Sequence, residues 1–125
     1  MRIIPTRIHG VLDYLSVAAL LAIPRVLGWD SLVTNLLTGS AAGTLAYSML
    51  TRYELGLAEV LPMKGHLALD GIGGAALCGA ALMFRDREEA SVVGALYGLG
   101  VFELAAAVMT QTEPSSSSIR HGIGQ

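Results

Sequence analysis

His66-Leu-Ala-Leu-Asp70-Gly-Ile-Gly-Gly-Ala-Ala-Leu77 repeats, 57 positions on, the stretch His9-Gly-Val-Leu-Asp13-Tyr-Leu-Ser-Val-Ala-Ala-Leu20. The His, the Leu, the Asp and the closing Ala-Ala-Leu fall at the same places in both copies. In a helix, residues four apart stand one turn above each other on one face. Each His/Asp pair heads a long apolar run, where an ionisable side chain is expensive and marks a site.

The surrounding chain defines the setting. Of 125 residues, 53% are hydrophobic and 14% charged, against roughly 25% charged in a typical soluble domain. The charges cluster, leaving apolar stretches of about 20 residues, the length that crosses a hydrocarbon layer roughly 30 Å thick. The composition therefore predicts an integral membrane protein whose first partner is the lipid bilayer. A net charge of −2 offers no basic field to nucleic acid, which is excluded as a partner. Cys78 stands alone and reads as a small core residue. The first apolar run carries His9 and Asp13 and is followed by no small-residue cleavage site, so it is expected to stay as an anchor.

Taken in order, the chain predicts an all-α, four-transmembrane-helix up-down bundle built from two tandem helix-hairpin repeats. Helix one is expected over residues 6–26, led by Pro5 and ended or kinked at Pro24. Helix two is expected over 32–51, after a turn whose Trp29 suits the headgroup level. A polar connection over 52–64 has room for a short interfacial helix. Helix three follows over 65–84, the charged turn 85–89 forces a hairpin, and helix four covers 90–110. Residues 1–113 form the membrane domain, with repeats at 6–54 and 63–113. Residues 114–125, with four serines in a row, read as a disordered cytoplasmic tail.

The duplication reaches past its first helix. At an offset of 59, Leu37, Gly39, Leu45, Ala46, Thr51 and Glu54 meet Leu96, Gly98, Leu104, Ala105, Thr110 and Glu113. Two helices per half keep the halves parallel, with a pseudo-twofold axis along the membrane normal. Gly39/Gly43 and Gly94/Gly98 are spaced for close helix approach, within the bundle or in a homo-oligomer. Arg2, Arg7, Arg52, Lys64 and Arg120 on one side, against Arg25, Arg85 and Arg87 on the other, put both termini in the cytoplasm.

This topology gathers His9, Asp13, Glu54, His66, Asp70 and Glu103 toward one cavity in the cytoplasmic half, with Glu113 near its edge and Thr44 as the repeat counterpart of Glu103. Lipid-facing placement would cost about 2.5–3.5 kcal/mol for each Asp at a helix centre, so the pairs should face inward and meet across the pseudo-twofold. Imidazole and carboxylate together suit a transition metal ion such as Fe, Mn or Zn. The same groups could relay protons or bind a small charged or quinone-like ligand. They could also simply satisfy one another and pin helix register. There is no Ser/His/Asp order, Cys/His pair or phosphate loop, and Gly71-Ile-Gly-Gly lacks the strand of a dinucleotide fingerprint, so no catalytic residue is assigned and an enzyme is the less favoured class. The sequence favours a structural or partner-binding membrane protein without assigned chemistry. The alternative is a metal-, proton- or small-ligand-binding protein that uses the His/Asp/Glu cluster.

His9-Gly-Val-Leu-Asp13-Tyr, Ile23-Pro24-Arg-Val-Leu-Gly28, Thr51-Arg-Tyr-Glu-Leu-Gly56 and Met63-Lys-Gly-His66-Leu-Ala-Leu-Asp70 together resemble the SPW-repeat family of small bacterial membrane proteins. That resemblance spans most of residues 9–110. It implies paired transmembrane helices in a bacterial inner (cytoplasmic) membrane, and it brings no catalytic residues.

Overall fold

The structure, a computed structural model, describes residues 2–113. The serine-rich stretch 114–125, for which a tail is expected, lies outside the described residues. Four helices follow one another: α1 (Thr6–Val26), α2 (Ser31–Met49), α3 (Met63–Phe84) and α4 (Ala90–Met109). Two isolated bridges are the only extended pairing among the described residues. The 52–62 connection forms turns and bends and holds no interfacial helix.

The helix limits have local causes. Pro5 and Pro62 occupy the same position before α1 and α3, both extended, at φ −63° and −67°. Because Pro62 sets the start, α3 begins at Met63, two residues before the periodicity alone suggests. Gly28, at φ 67°, makes the left-handed turn after α1. Asp30 then caps α2 by accepting a 2.9 Å hydrogen bond from the Val33 N–H. Trp29 packs half-buried against the main core.

Three helices, α1, α3 and α4, are long and apolar enough to cross a membrane. The fourth, α2, has 19 residues and no charge, but Thr34, Asn35, Thr38, Ser40, Thr44 and Ser48 reduce its apolarity. The expected four spans are thus carried on composition by three.

Packing pairs α1 with α2 and α3 with α4, and α2 meets α3 only slightly. The exposed turns Leu27–Asp30 and Arg85–Glu89 lie together, and the nearness of the Asp30 and Glu88 carboxyls holds Asp30 below its ordinary range and raises Glu88. At the opposite end the chain closes on itself twice, in matching ways. Ile4 N–H donates to Met109 O and Gln111 N–H to Ile4 O; Leu61 N–H donates to Leu50 O and Arg52 N–H to Leu61 O. Arg2 adds bonds to the Ala107 and Thr110 carbonyls, satisfying the end of α4.

The closest helix approach is not at the glycine pairs singled out in the sequence. A Cβ on Gly100 would stand 2.7 Å from the Gly74 carbonyl and 2.6 Å from Cys78 Sγ, so α3 and α4 cross there backbone to backbone. Gly39, Gly43, Gly94 and Gly98 have nothing within 4 Å of such a Cβ and face outward. Gly100→Leu should therefore destabilise the fold by about 1–3 kcal/mol or more through overpacking. Gly39→Leu and Gly94→Leu should stay within about 0.5 kcal/mol in the monomer. Thermal unfolding in detergent checks this, and equal effects at all three positions would contradict the crossing.

Candidate functional site

His9 is the fourth residue of α1 and His66 the fourth of α3, with Asp13 and Asp70 one turn further in. The side chains converge between the helices and are almost fully withdrawn from the surface, at 1% exposure for His9, 0% for His66, 6% for Asp13 and 4% for Asp70. His9 Nε2 lies 2.7 Å from Asp70 Oδ2 and 3.1 Å from Asp13 Oδ1. His66 Nε2 lies 3.0 Å from Asp13 Oδ2 and 3.2 Å from Asp70 Oδ2. Each histidine thus meets its own aspartate and the other hairpin's, and the two rings stand edge to face with centroids 5.2 Å apart.

Hydroxyl groups hold this arrangement from behind. Thr110 Oγ1 donates to Ala106 O at 2.6 Å and faces His9 Nδ1 at 2.6 Å. Thr51 Oγ1 donates to Tyr47 O at 2.5 Å and faces His66 Nδ1 at 2.7 Å. Each hydroxyl proton is already committed to a carbonyl, so each threonine can only accept from the ring. Both histidines therefore carry Nδ1–H, an assignment that follows from the bonding network. Their Nε2 atoms are left for the carboxylates. Behind the aspartates, the Tyr53 phenol donates to Asp13 Oδ2 at 2.8 Å and the Tyr47 phenol to Asp70 Oδ1 at 2.5 Å. Tyr53 belongs to the loop. Burial, then the Asp13 charge, pushes its phenol well above its ordinary range, so it remains a donor.

One atom falls outside this network. His66 Nε2 is fully buried and has no hydrogen-bond partner, because both nearby carboxylate oxygens lie off its bonding direction. An unsatisfied buried polar atom of this kind costs about 1–3 kcal/mol.

The 52–62 loop roofs the cluster. Tyr53 is 3% exposed, Tyr14 donates to Leu55 O at 2.8 Å, and Gly10 lets the loop lie directly on α1. A Cβ on Gly10 would come within 2.9 Å of both Tyr53 and Leu55.

The six residues expected at one site divide. His9, Asp13, His66 and Asp70 come together, with one ligand-type atom from each inside a 4.8 Å sphere of mutual distances. Glu54 does not join them. It is held at the rim, where Thr6 Oγ1 donates to both its oxygens at 3.0 and 2.8 Å, and Tyr53 fills the space nearer the cluster. Glu113 is exposed beyond α4. Glu103 is half-buried on α4 beside Gly73, one turn deeper than Asp70, and lines a cavity that adjoins the cluster.

Four further participants were not named as site residues. Thr51 and Thr110 carried a signal, since they recur at the 59-residue offset, but nothing in the sequence assigned that recurrence a role at the site. Tyr47 and Tyr53 carried none. Their counterparts at that offset are Ala106 and Thr112.

No family model, no curated protein and no solved structure matches the chain. The functional reading therefore rests on the site's own geometry. Two imidazoles and two carboxylates, each aligned by an outer hydrogen bond, are a nitrogen and oxygen donor set of the kind that ligates a divalent ion once the Nε2 atoms are unprotonated.

Proposed function

We propose that this is a small integral membrane protein that holds one transition metal ion between His9, Asp13, His66 and Asp70. The orientation of the two imidazoles carries the reading. With both Nδ1–H groups committed to Thr51 and Thr110, both Nε2 atoms converge on the same two carboxylates, and that of His66 finds no proton partner there. Ligating histidines characteristically donate their other ring N–H to an acceptor behind them, and ligating carboxylates are themselves hydrogen-bonded. All four side chains meet that description. With bonds of about 2.0–2.1 Å, adjacent ligand atoms on such an ion stand about 3.0–3.4 Å apart, the shorter value in octahedral and the longer in tetrahedral geometry. The nitrogen–oxygen separations of 2.7–3.2 Å need open only slightly. Two carboxylates also balance a divalent charge, which a buried site in a membrane requires.

The second reading is a structural lock with no ion, in which protonated imidazoles pair with the carboxylates and tie the hairpins together. The 2.7 Å contact between His9 Nε2 and Asp70 Oδ2 favours it. Equilibrium dialysis of detergent-purified protein against Fe²⁺, Mn²⁺ or Zn²⁺, followed by elemental analysis, separates the two. The metal reading expects one ion per chain and none in the His9→Gln/His66→Gln double variant. A well-folded wild type that retains no ion would leave only the lock.

The architecture around the site belongs to the same proposal. Four membrane-crossing helices form two tandem hairpins related by a pseudo-twofold along the bundle. The equivalent end pairings of Ile4 and Leu61 support this, as do the equivalent positions of Pro5 and Pro62. The resemblance to SPW-repeat proteins agrees with paired hairpins in a bacterial cytoplasmic membrane. The excess of Arg and Lys at the end carrying Arg2, Arg52 and Lys64 supports cytoplasmic termini. Reporter fusions at Gln125 and within the Arg85–Glu89 turn should then report opposite sides of the membrane. The same side for both would end this topology.

A further inference from the structure

The hydrogen-bond network leaves a cavity beside the cluster, and the carboxylate that lines it, without a role. The cavity has a volume of about 10 Å³ and is lined by His9, Asp13 and Asp70, with Ser16, Thr44 and Glu103 on its deeper side. Its outer edge is formed by Leu12 of α1 and Phe102 of α4, and Phe102 is 42% exposed. A volume of that order holds one water-sized species, and the polar lining supplies the several partners such a species needs. His66 is not part of the lining. It sits behind the other three groups.

We infer that this cavity is the position of a small exogenous ligand on the ion, a water, hydroxide or diatomic molecule, reached from the hydrocarbon layer between α1 and α4. The inference rests on the metal reading above. Three observations support it. The loop end is shut by the Tyr53 phenol, the Thr6–Glu54 bonds and the Tyr14–Leu55 bond, which leaves the side between α1 and α4 as the approach. Three of the four ligand side chains line the cavity, so the open side of the ion faces it. With four protein donors the small molecule is a further ligand, which a five- or six-coordinate Fe²⁺ or Mn²⁺ ion accommodates. Glu103 takes no hydrogen bond from any described residue, although it lies within electrostatic reach of Asp70, Asp13 and His9. A half-buried carboxyl at that depth is costly unless it has a partner, and a ligand in the cavity supplies one. The repeat counterpart of Glu103, Thr44, faces the same space with a hydroxyl. The ligand is thus flanked by a carboxyl on one hairpin and an alcohol on the other.

The test uses full-length protein in detergent, loaded anaerobically with Fe²⁺ and exposed to nitric oxide as the diatomic probe. Wild type should give an iron–nitrosyl signal in electron paramagnetic resonance. Ser16→Leu narrows the cavity from α1 and Phe102→Trp narrows its edge from α4. Each should lose the signal while binding the same amount of iron, and unchanged iron content shows that the fold is retained. Iron-loaded wild type that forms no nitrosyl overturns this inference alone, as does unhindered nitrosylation of both narrowed variants. A wild type that takes up no iron overturns it together with the metal reading.

Discussion

Asp70→Leu should cost the protein about 3–5 kcal/mol, the range seen when one member of a buried charged network is removed and its partners are left. Asp70 Oδ2 is the nearest acceptor to His9 Nε2, its other oxygen takes the Tyr47 phenol, and it also lies 3.2 Å from His66 Nε2. Leucine would strand all three groups in a buried site. Total stabilities are typically 5–15 kcal/mol, so much of the population should unfold under mild denaturant. Asp70→Asn keeps the shape and an acceptor for Tyr47 and should cost about 1–3 kcal/mol. Trp29, the one tryptophan, packs against the core and reports unfolding by its fluorescence. Equal losses in the two variants would show that the carboxylate charge carries the whole effect and that the hydrogen bonding Asn retains contributes nothing. The same pair separates the two functional readings: under the metal reading the folded Asn variant loses ion affinity, whereas the lock predicts a change in stability alone.

The second large effect is expected at positions that touch no ligand. Thr51→Val and Thr110→Val remove the acceptors that hold the His66 and His9 rings with Nδ1–H outward. Outer hydrogen bonds of this kind change metal affinity by about 10–100-fold. Each single variant should weaken the ion by roughly that factor, and the double variant further. Thr→Ser at either position keeps the hydroxyl and should stay close to wild type. Competition with a chromophoric chelator measures this. Wild-type affinity in the double Val variant would mean that the threonines orient nothing, and the tautomer argument would fall with them.

The glycine and threonine positions show how far the chain could be read without coordinates. The repeated His-x-x-x-Asp stretch predicted two equivalent helices with inward pairs, and those four side chains do meet. The repeated Thr-x-x-Glu was equally visible, but its meaning was not. At a helix end a threonine reads as a cap, and only the approach of another helix's imidazole gives it a second role. Glu54 shows the opposite error. Its position past α2 put it at the right end of the bundle, yet Thr6 holds it at the rim. The small-residue spacing at Gly39/Gly43 and Gly94/Gly98 pointed to close helix approach at those positions. Rotation about the helix axes turned those faces outward and gave the actual crossing to Gly74 and Gly100.

Local chemistry therefore determined what can be set within a few turns of chain. Apolar runs interrupted by charge set the helices, the prolines and Gly28 set their limits, and the cost of ionisable groups in hydrocarbon sent the two His/Asp pairs inward. Each of these follows from backbone geometry or solvation at the residue itself. The tertiary structure alone decided which hydroxyl stands behind which ligand, that Tyr47 and Tyr53 serve different aspartates, and that Glu103 adjoins the cluster without entering it. Those relations depend on the rotation and separation of neighbouring helices. Shifts of an ångström there remake a hydrogen bond, and the order of residues along the chain does not encode such shifts locally.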